Sequence, residues 1–229
     1  MNIKLNSKFV VSFIALLFVM HEAHEIAHTA LGRFICGAWG ERDFNVWGLA
    51  EGCGNGDLVS MLPTYLGPIF TFTMIWIGTS LLKHENSVEK KSLGFALIFT
   101  NMPFARILTA SFGGGDEVYA TNVLIDNHPL AWSIGLITIL VIVAFPLYKA
   151  FITIDKNRWG WFLLFFFAPV FIDLIVVLGL LNTLLQNGIL SNYWILGSPM
   201  LVTFWTLFVV LIFIITRKYI FTLGVKSTG

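Results

Sequence analysis

The chain has 229 residues, of which 57% are hydrophobic, 15% aromatic and only 12% charged. Soluble globular domains carry about 25% charged residues, so this composition predicts an all-α, polytopic membrane helical bundle that has the lipid bilayer as its first partner. The net charge of +1 provides no basic surface for nucleic acid. Because the polar segments are too short to fold separately, residues 1–229 are predicted to form a single transmembrane domain.

The first predicted helix covers residues 9–31, about 23 residues or ~34 Å, which is enough to cross a bilayer. It imitates a signal peptide, because Lys4 and Lys8 precede an apolar run. However, no small-x-small cleavage site separates that run from the histidines that follow, so we interpret the helix as uncleaved.

The second half of this helix contains a polar stretch, residues 21–28, with the sequence HEAHEIAH. At about 100° per residue, His21, His24, Glu25 and His28 lie on one face. Residues 24–28 form an HExxH motif, in which two imidazoles one turn apart can bind Zn²⁺ while the glutamate deprotonates a water activated by the metal. Ionisable groups at membrane depth are costly and indicate function. The alternative is a polar face that seals against other helices or lines a water-filled cavity.

The loop after the first helix, residues 32–60, contains both cysteines of the chain, Cys36 and Cys53. An oxidising compartment would join them, and closing a loop of this length would stabilise the fold by roughly 3 kcal/mol. The alternative is two free or metal-binding thiols. The loop also carries the aromatic residues Trp39, Phe44 and Trp47. They predict a packed cap over the histidine face rather than a loose linker.

Five further apolar segments make six predicted transmembrane helices in all, each close to the ~20 residues that a bilayer core requires. They lie near residues 61–82, 92–111, 130–147, 161–182 and 194–215. The third helix carries Asn101 and Pro103, and a bend is expected there. A short interfacial helix is possible at residues 117–126.

The distribution of lysine and arginine predicts the orientation. Eleven of these residues fall on one side of the membrane. They are Lys4, Lys8, Lys83, Lys90, Lys91, Lys149, Lys156, Arg158, Arg217, Lys218 and Lys226. Only Arg33, Arg42 and Arg106 fall toward the other side. This bias predicts a multi-pass protein of the cell membrane with both termini in the cytoplasm and the loops at 32–60, 112–129 and 183–193 outside.

Two aspartates compete as the third metal ligand. Asp173 lies in the fifth helix at ~18 Å depth, similar to ~22 Å for His24 and ~21 Å for Arg106, so it suits either the metal site or an ion pair with Arg106. Asp116 follows three glycines, Gly113 to Gly115, and must fold back by about 8 Å to reach the histidines, which such a glycine turn permits. Asp116 is the favoured ligand.

The HExxH on a transmembrane helix, the later Asn101-x-Pro103 and an acidic residue beside glycines together resemble the site-2 protease family of intramembrane zinc metalloproteases. The resemblance implies that His24 and His28 are zinc ligands, that Glu25 is the general base, and that an aspartate completes the site. That family places its aspartate in an Asp-Gly pair, whereas this chain has glycines before Asp116.

The expected function is hydrolysis of a peptide bond within or at the edge of the membrane, in a membrane-protein or peptide substrate that must unwind locally. His21, one turn before His24, is a catalytic candidate that either orients a ligand or stabilises the oxyanion. The rival interpretation is a non-catalytic metal carrier or sensor that uses the same histidines without Glu25. A di-iron oxidase lacks ligands, because His84 and His128 stand alone among five histidines. The oligomeric state is left open.

Overall fold

The computed structural model describes residues 1–54 and 58–225 of the chain. The protein is all-helical, with 75% of its residues in helices. The only two-stranded sheet in these residues is a short antiparallel contact of Asn2–Ile3 with Gly224–Val225, which holds the two ends of the described chain together. Isolated bridges pair Arg42 with Trp47 and Tyr193 with Pro199. Lys226, one of the residues in the charge argument, lies outside the described part.

The helices are numbered in chain order. They are α1 (Ser7–Cys36), α2 (Leu62–Leu81), α3 (Val88–Thr100), α4 (Pro103–Ser111), α5 (Asp116–Ile125), α6 (His128–Thr153), α7 (Arg158–Asp173), α8 (Asn182–Gln186) and α9 (Met200–Thr216). A π-helical stretch, Leu174–Leu181, joins α7 to α8 without a break. Short 3₁₀ turns are found at Leu58–Met61, Ile195–Gly197 and Arg217–Thr222.

Within the described residues, five helices are long and apolar enough to cross a membrane. They are Ser7–Cys36, Val88–Ser111, His128–Thr153, Arg158–Gln186 and Met200–Thr222. The second predicted span, near 61–82, is present as α2 with 20 residues but is not one of these five. Two prolines, Pro63 and Pro68, and several threonines lower its mean hydropathy below that of the five spans.

The expected bend at Asn101 and Pro103 is confirmed, because α3 ends at Thr100 and α4 begins at Pro103. Met102 between them has a φ of 45°. Proline supplies no N–H to the preceding turn and disfavours a helical residue before it, so the chain changes direction there. The last predicted helix, near 194–215, begins later than expected. It starts at Met200, after Pro199 and a glycine with a φ of 67°.

Helix α1 is central, packing most extensively against α2 and α9. Its N-terminal half belongs to a large aromatic cluster with Phe95 and Phe165, and its middle part belongs to a second cluster with Val177 and Val202. Helices α2 and α3 cross at two glycines, and a Cβ on Gly78 would lie 2.7 Å from the carbonyl oxygen of Gly94. This packing turns the polar face of α1 toward α2 and the turn before α5.

The loop that follows α1 forms a cap. Cys36 and Cys53 are within disulfide distance, with Cα atoms 5.7 Å apart, and neither is free. Between them, residues 41–48 fold back as a tight hairpin, with Gly48 N–H donating to Glu41 O and Asp43 N–H to Val46 O, each at 2.8 Å. We call this the cap hairpin. Its tip residue Phe44 is fully buried in the second apolar cluster.

Candidate metal centre

Helix α1 places the two histidines of the HExxH motif one turn apart and brings their rings together. The ring centroids of His24 and His28 are 4.7 Å apart, and their Nε2 atoms are 3.1 Å apart. Helix α2 approaches this pair at Gly67, where an added Cβ would overlap the His28 ring and lie 2.8 Å from Cε1 of His24. A glycine is therefore required at that position for the two rings to fit beneath α2.

The other ring nitrogen of each histidine is bonded to an uncharged oxygen of α2. His28 Nδ1 lies 2.6 Å from the carbonyl oxygen of Pro63, and His24 Nδ1 lies 2.9 Å from the hydroxyl of Thr71. A carbonyl only accepts, so Nδ1 of His28 carries the proton, and the threonine hydroxyl can accept in the same way. Both Nε2 atoms then keep a lone pair for a metal.

The turn before α5 carries Asp116 back to the histidines. Gly113 and Gly115 have φ angles of 79° and 87°, which side chains rarely allow. One carboxylate oxygen of Asp116 lies 3.4 Å from His24 Nε2 and 3.7 Å from His28 Nε2. One ligand atom from each of the three residues lies within 4.8 Å of the others. Two imidazole nitrogens and a carboxylate oxygen form a donor set that suits zinc, so these residues fit the expected metal.

Arg106 holds Asp116 from the other side. Its guanidinium lies 2.9 Å from Asp116 and 2.8 Å from Glu117. Burial opposes ionisation of Asp116, but the adjacent Arg106 guanidinium favours the charged form, so the pKa of Asp116 lies well below its usual range. The proposed ion pair between Arg106 and Asp173 is wrong, because Arg106 is neutralised by the two acids that begin α5.

Asp173 instead binds His21. The Asp173 carboxylate lies 2.7 Å from His21 Nδ1, and the carbonyl oxygen of Phe44 lies 3.0 Å from His21 Nε2. The carbonyl only accepts and the carboxylate is an acceptor when ionised, so both nitrogens of His21 act as donors and neither offers a lone pair to a metal. Asp173, the alternative third ligand, lies outside the group formed by His24, His28 and Asp116.

Glu25 faces the cavity that contains these residues. The cavity has a volume of about 430 Å³ and is lined by His21, His24, Glu25, Asn101 and Asp116, among others. Glu25 is 7% exposed, and its Oε2 has no hydrogen-bond partner in the described residues. The Oδ1 of Asn101, also buried at the break between α3 and α4, is likewise unpartnered there. Two buried acceptors therefore border one space without a protein donor.

Sequence reasoning missed several supporting residues. Arg42, counted only as a loop cation, is buried and donates to Glu22 at 3.0 Å, and Thr206 donates to the same carboxylate at 2.8 Å. By contrast, Trp47 lies over the histidine face as predicted for the cap, because it stacks on His28 with ring centroids 4.7 Å apart. The position of Glu22 in the polar stretch implied that it needs a partner, but an isolated threonine in an apolar helix gives no such signal.

No protein-family model, no curated protein and no solved structure matches this chain. The resemblance to site-2 proteases therefore stays a prediction from the motif. The site itself offers a bidentate pair of imidazoles, a carboxylate that is held ionised, and a second carboxylate, Glu25, beside them in one cavity. This arrangement can hold a divalent metal and accept a proton from a water molecule next to it.

Proposed function

We propose that this chain is an integral-membrane zinc metalloprotease of the site-2 protease kind, hydrolysing a peptide bond within or at the edge of the membrane. The observation that carries the proposal is the convergence of Asp116 on the free nitrogens of His24 and His28, with Glu25 facing the same cavity. A chain that only needed to satisfy buried histidines would not require a further carboxylate with an unpartnered oxygen there.

Zinc held by His24, His28 and Asp116 would supply Lewis acidity toward a water and a carbonyl group. Glu25, adjacent to His24, takes the proton from the attacking water and passes it to the leaving amine. Asn101 offers its free side-chain oxygen to a substrate N–H. His21 lies on the wall of the same cavity and is fixed there by Asp173. Its Nε2–H donates to the Phe44 carbonyl in this structure, and it would reach a carbonyl oxygen of the substrate in exchange for that contact.

We place the protein in the cell membrane with six spans, counting α2 as the sixth, and with both termini in the cytoplasm. The charge bias of 11 against 3 supports this orientation, as does the cysteine pair in the loop assigned to the outer side. The substrate is a membrane protein or peptide whose helix unwinds locally, because helical backbone carbonyls are otherwise occupied.

The decisive experiment compares Glu25→Gln with the wild type for zinc content and for hydrolysis of a pool of transmembrane peptides. We expect the variant to keep its zinc and to lose activity by about 10²- to 10⁴-fold, because the amide cannot accept the proton. Glu85→Gln, at an exposed loop position, is the matched control and should behave as wild type. Zinc-loaded wild type that hydrolyses no peptide would favour the rival, a metal carrier or sensor that does not need Glu25.

A further inference from the structure

The tip of the cap hairpin enters the helical bundle beside the metal centre. Its side chain is buried in an apolar pocket, and its carbonyl is hydrogen-bonded to a histidine of the cavity. The Phe44 side chain is 0% exposed and belongs to an apolar cluster with Phe18, Val177, Leu181, Val202 and Val209. Its carbonyl oxygen accepts a hydrogen bond from His21 Nε2 at 3.0 Å. The next residues of the hairpin, Asn45 to Trp47, line the cavity that contains Glu25 and Asp116. One peptide unit thus has its carbonyl on a cavity histidine and its side chain in an adjacent pocket.

From this arrangement, and resting on the proposed function, we propose that the Phe44 pocket is the side-chain subsite of the protease, occupied in this structure by the chain's own hairpin tip. The ligand class is an extended peptide segment carrying a large apolar or aromatic side chain. Such a segment would displace the tip, place its side chain where Phe44 lies, and give its carbonyl to His21.

A peptide that displaces Phe44 must replace both its packing and its hydrogen bond, and this requirement favours one class of side chain. The apolar cluster that loses Phe44 must be filled again, because an empty apolar pocket is costly. The His21 N–H must find another acceptor, because a buried donor without one is also costly. A peptide with a phenylalanine-like side chain meets both needs, whereas a serine or a charged side chain leaves the pocket empty or buries an unpaired group.

Other contacts keep the hairpin attached when its tip is displaced. Arg42 at the base is buried and bonded to Glu22 and Ser198, and the Cys36–Cys53 pair closes the loop that carries the hairpin. At the tip, the contacts of Phe44 are those that a peptide would replace, and the neighbouring Asn45 is bonded to Asn182 at an exposed position. The tip is therefore the part of the cap that can exchange with a competing peptide.

The test uses photo-cross-linking in the Glu25→Gln background, so that binding is read without hydrolysis. The probe is a capped hexapeptide with a central benzophenone-bearing phenylalanine, and cross-links are mapped by mass spectrometry. We expect them at Val177, Leu181 and Val202, with yields about tenfold higher in Phe44→Ala, because the competing tip side chain is gone. Excess peptide with a central phenylalanine should suppress them, and the same peptide with serine should not.

Phe34→Ala is the matched control, since Phe34 lies in the same outer region but is 85% exposed, and its yield should equal that of the parent. Zinc content and elution profile report folding. If Phe44→Ala fails to fold, Phe44→Leu, which leaves part of the pocket open, should still raise the yield several-fold. Cross-links outside the cluster, or a yield insensitive to Phe44, would overturn the inference. Specific cross-links together with an inactive wild type would overturn the proposed protease function and leave the subsite in place.

Discussion

Helix α1 carries two pairings of histidine with aspartate, one turn apart, and they differ in what their partners leave free. His24 and His28 have Nδ1 bonded to uncharged oxygens of α2, so their Nε2 atoms converge on Asp116. His21 has both nitrogens bonded to acceptors, the Asp173 carboxylate and the Phe44 carbonyl. Two imidazoles are arranged as ligands, and the third is arranged as a donor.

The comparison shows that the role of a histidine depends on the hydrogen-bond partners of its two ring nitrogens rather than on its place in a motif. From the sequence, His21 and His24 look alike, since both lie on the polar face of one helix. From the structure, His21 has no lone pair to give to a metal. Zinc binding should therefore distinguish the two pairings.

The largest difference is expected between His24→Ala and His21→Ala. Removing His24 leaves a single imidazole and a carboxylate, too few donors to hold zinc tightly, so the purified protein should contain almost none. His21→Ala should keep its zinc, since no ligand is removed, and should lose activity. Elemental analysis after gel filtration measures both. Equal zinc loss in the two variants would show that the pairings are not distinct.

Zinc affinity should also distinguish the two aspartates, with a larger loss for Asp116→Ala than for Asp173→Ala. Asp116→Ala removes a donor from the three-residue group and should weaken zinc affinity by more than about 100-fold, the upper range for losing only an outer partner of a ligand. Asp173→Ala should leave zinc affinity near wild type while lowering activity, because His21 loses its anchor. Competition with a zinc-responsive dye gives the affinities. Loss of zinc in Asp173→Ala alone would reverse the assignment of the third ligand.

Gly67→Ala tests the space beneath α2. Its methyl group would overlap His28 and press on His24, so the rings must move from their positions against Pro63 and Thr71. We expect a loss of about 1–3 kcal/mol in the free energy of unfolding together with weaker zinc binding. Gly179→Ala is the control, because its added Cβ meets only a carbonyl oxygen at 3.4 Å. Undisturbed zinc binding in Gly67→Ala would show that the rings are less constrained than their packing implies.

Much of the fold could be predicted, because the length of an apolar segment and the position of a proline determine local structure. Predicting the apolar segments required only the thickness of the bilayer, and predicting the break at Asn101 and Pro103 required only the missing N–H of proline. The start of α9 was placed too early, because Trp194, Ile195 and Leu196 extend the apolar run toward the N-terminus, whereas the chain turns at Gly197. Hydropathy alone does not reveal that turn.

The parts of the site that lie on one helix face or depend on one glycine turn could be predicted from the sequence. The HExxH spacing and the glycines before Asp116 are local signals, and both correspond to residues that the structure brings together. The partner of Asp173 could not be found by comparing depths. Depth is a one-dimensional measure, and it does not show which helix face meets which, so the match in depth favoured Arg106 where the structure has His21.

The smallest expected effect on zinc binding concerns Thr71. Of the two oxygens that orient the ligand rings, the hydroxyl of Thr71 belongs to a side chain and the carbonyl of Pro63 to the backbone. Thr71→Val keeps the shape and removes the hydroxyl, so His24 Nδ1 loses its acceptor and its ring becomes free to rotate. Such outer partners contribute about 10- to 100-fold in metal affinity, and we expect a loss near tenfold. Thr73→Val, two residues along α2 and exposed, is the matched control and should bind zinc as wild type does. The His21 pairing should not respond, so the variant should keep the cross-linking pattern expected for the Phe44 pocket. If Thr71→Val and Thr73→Val bind zinc equally well, the hydroxyl does not orient His24, and the ring is held by Gly67 packing alone.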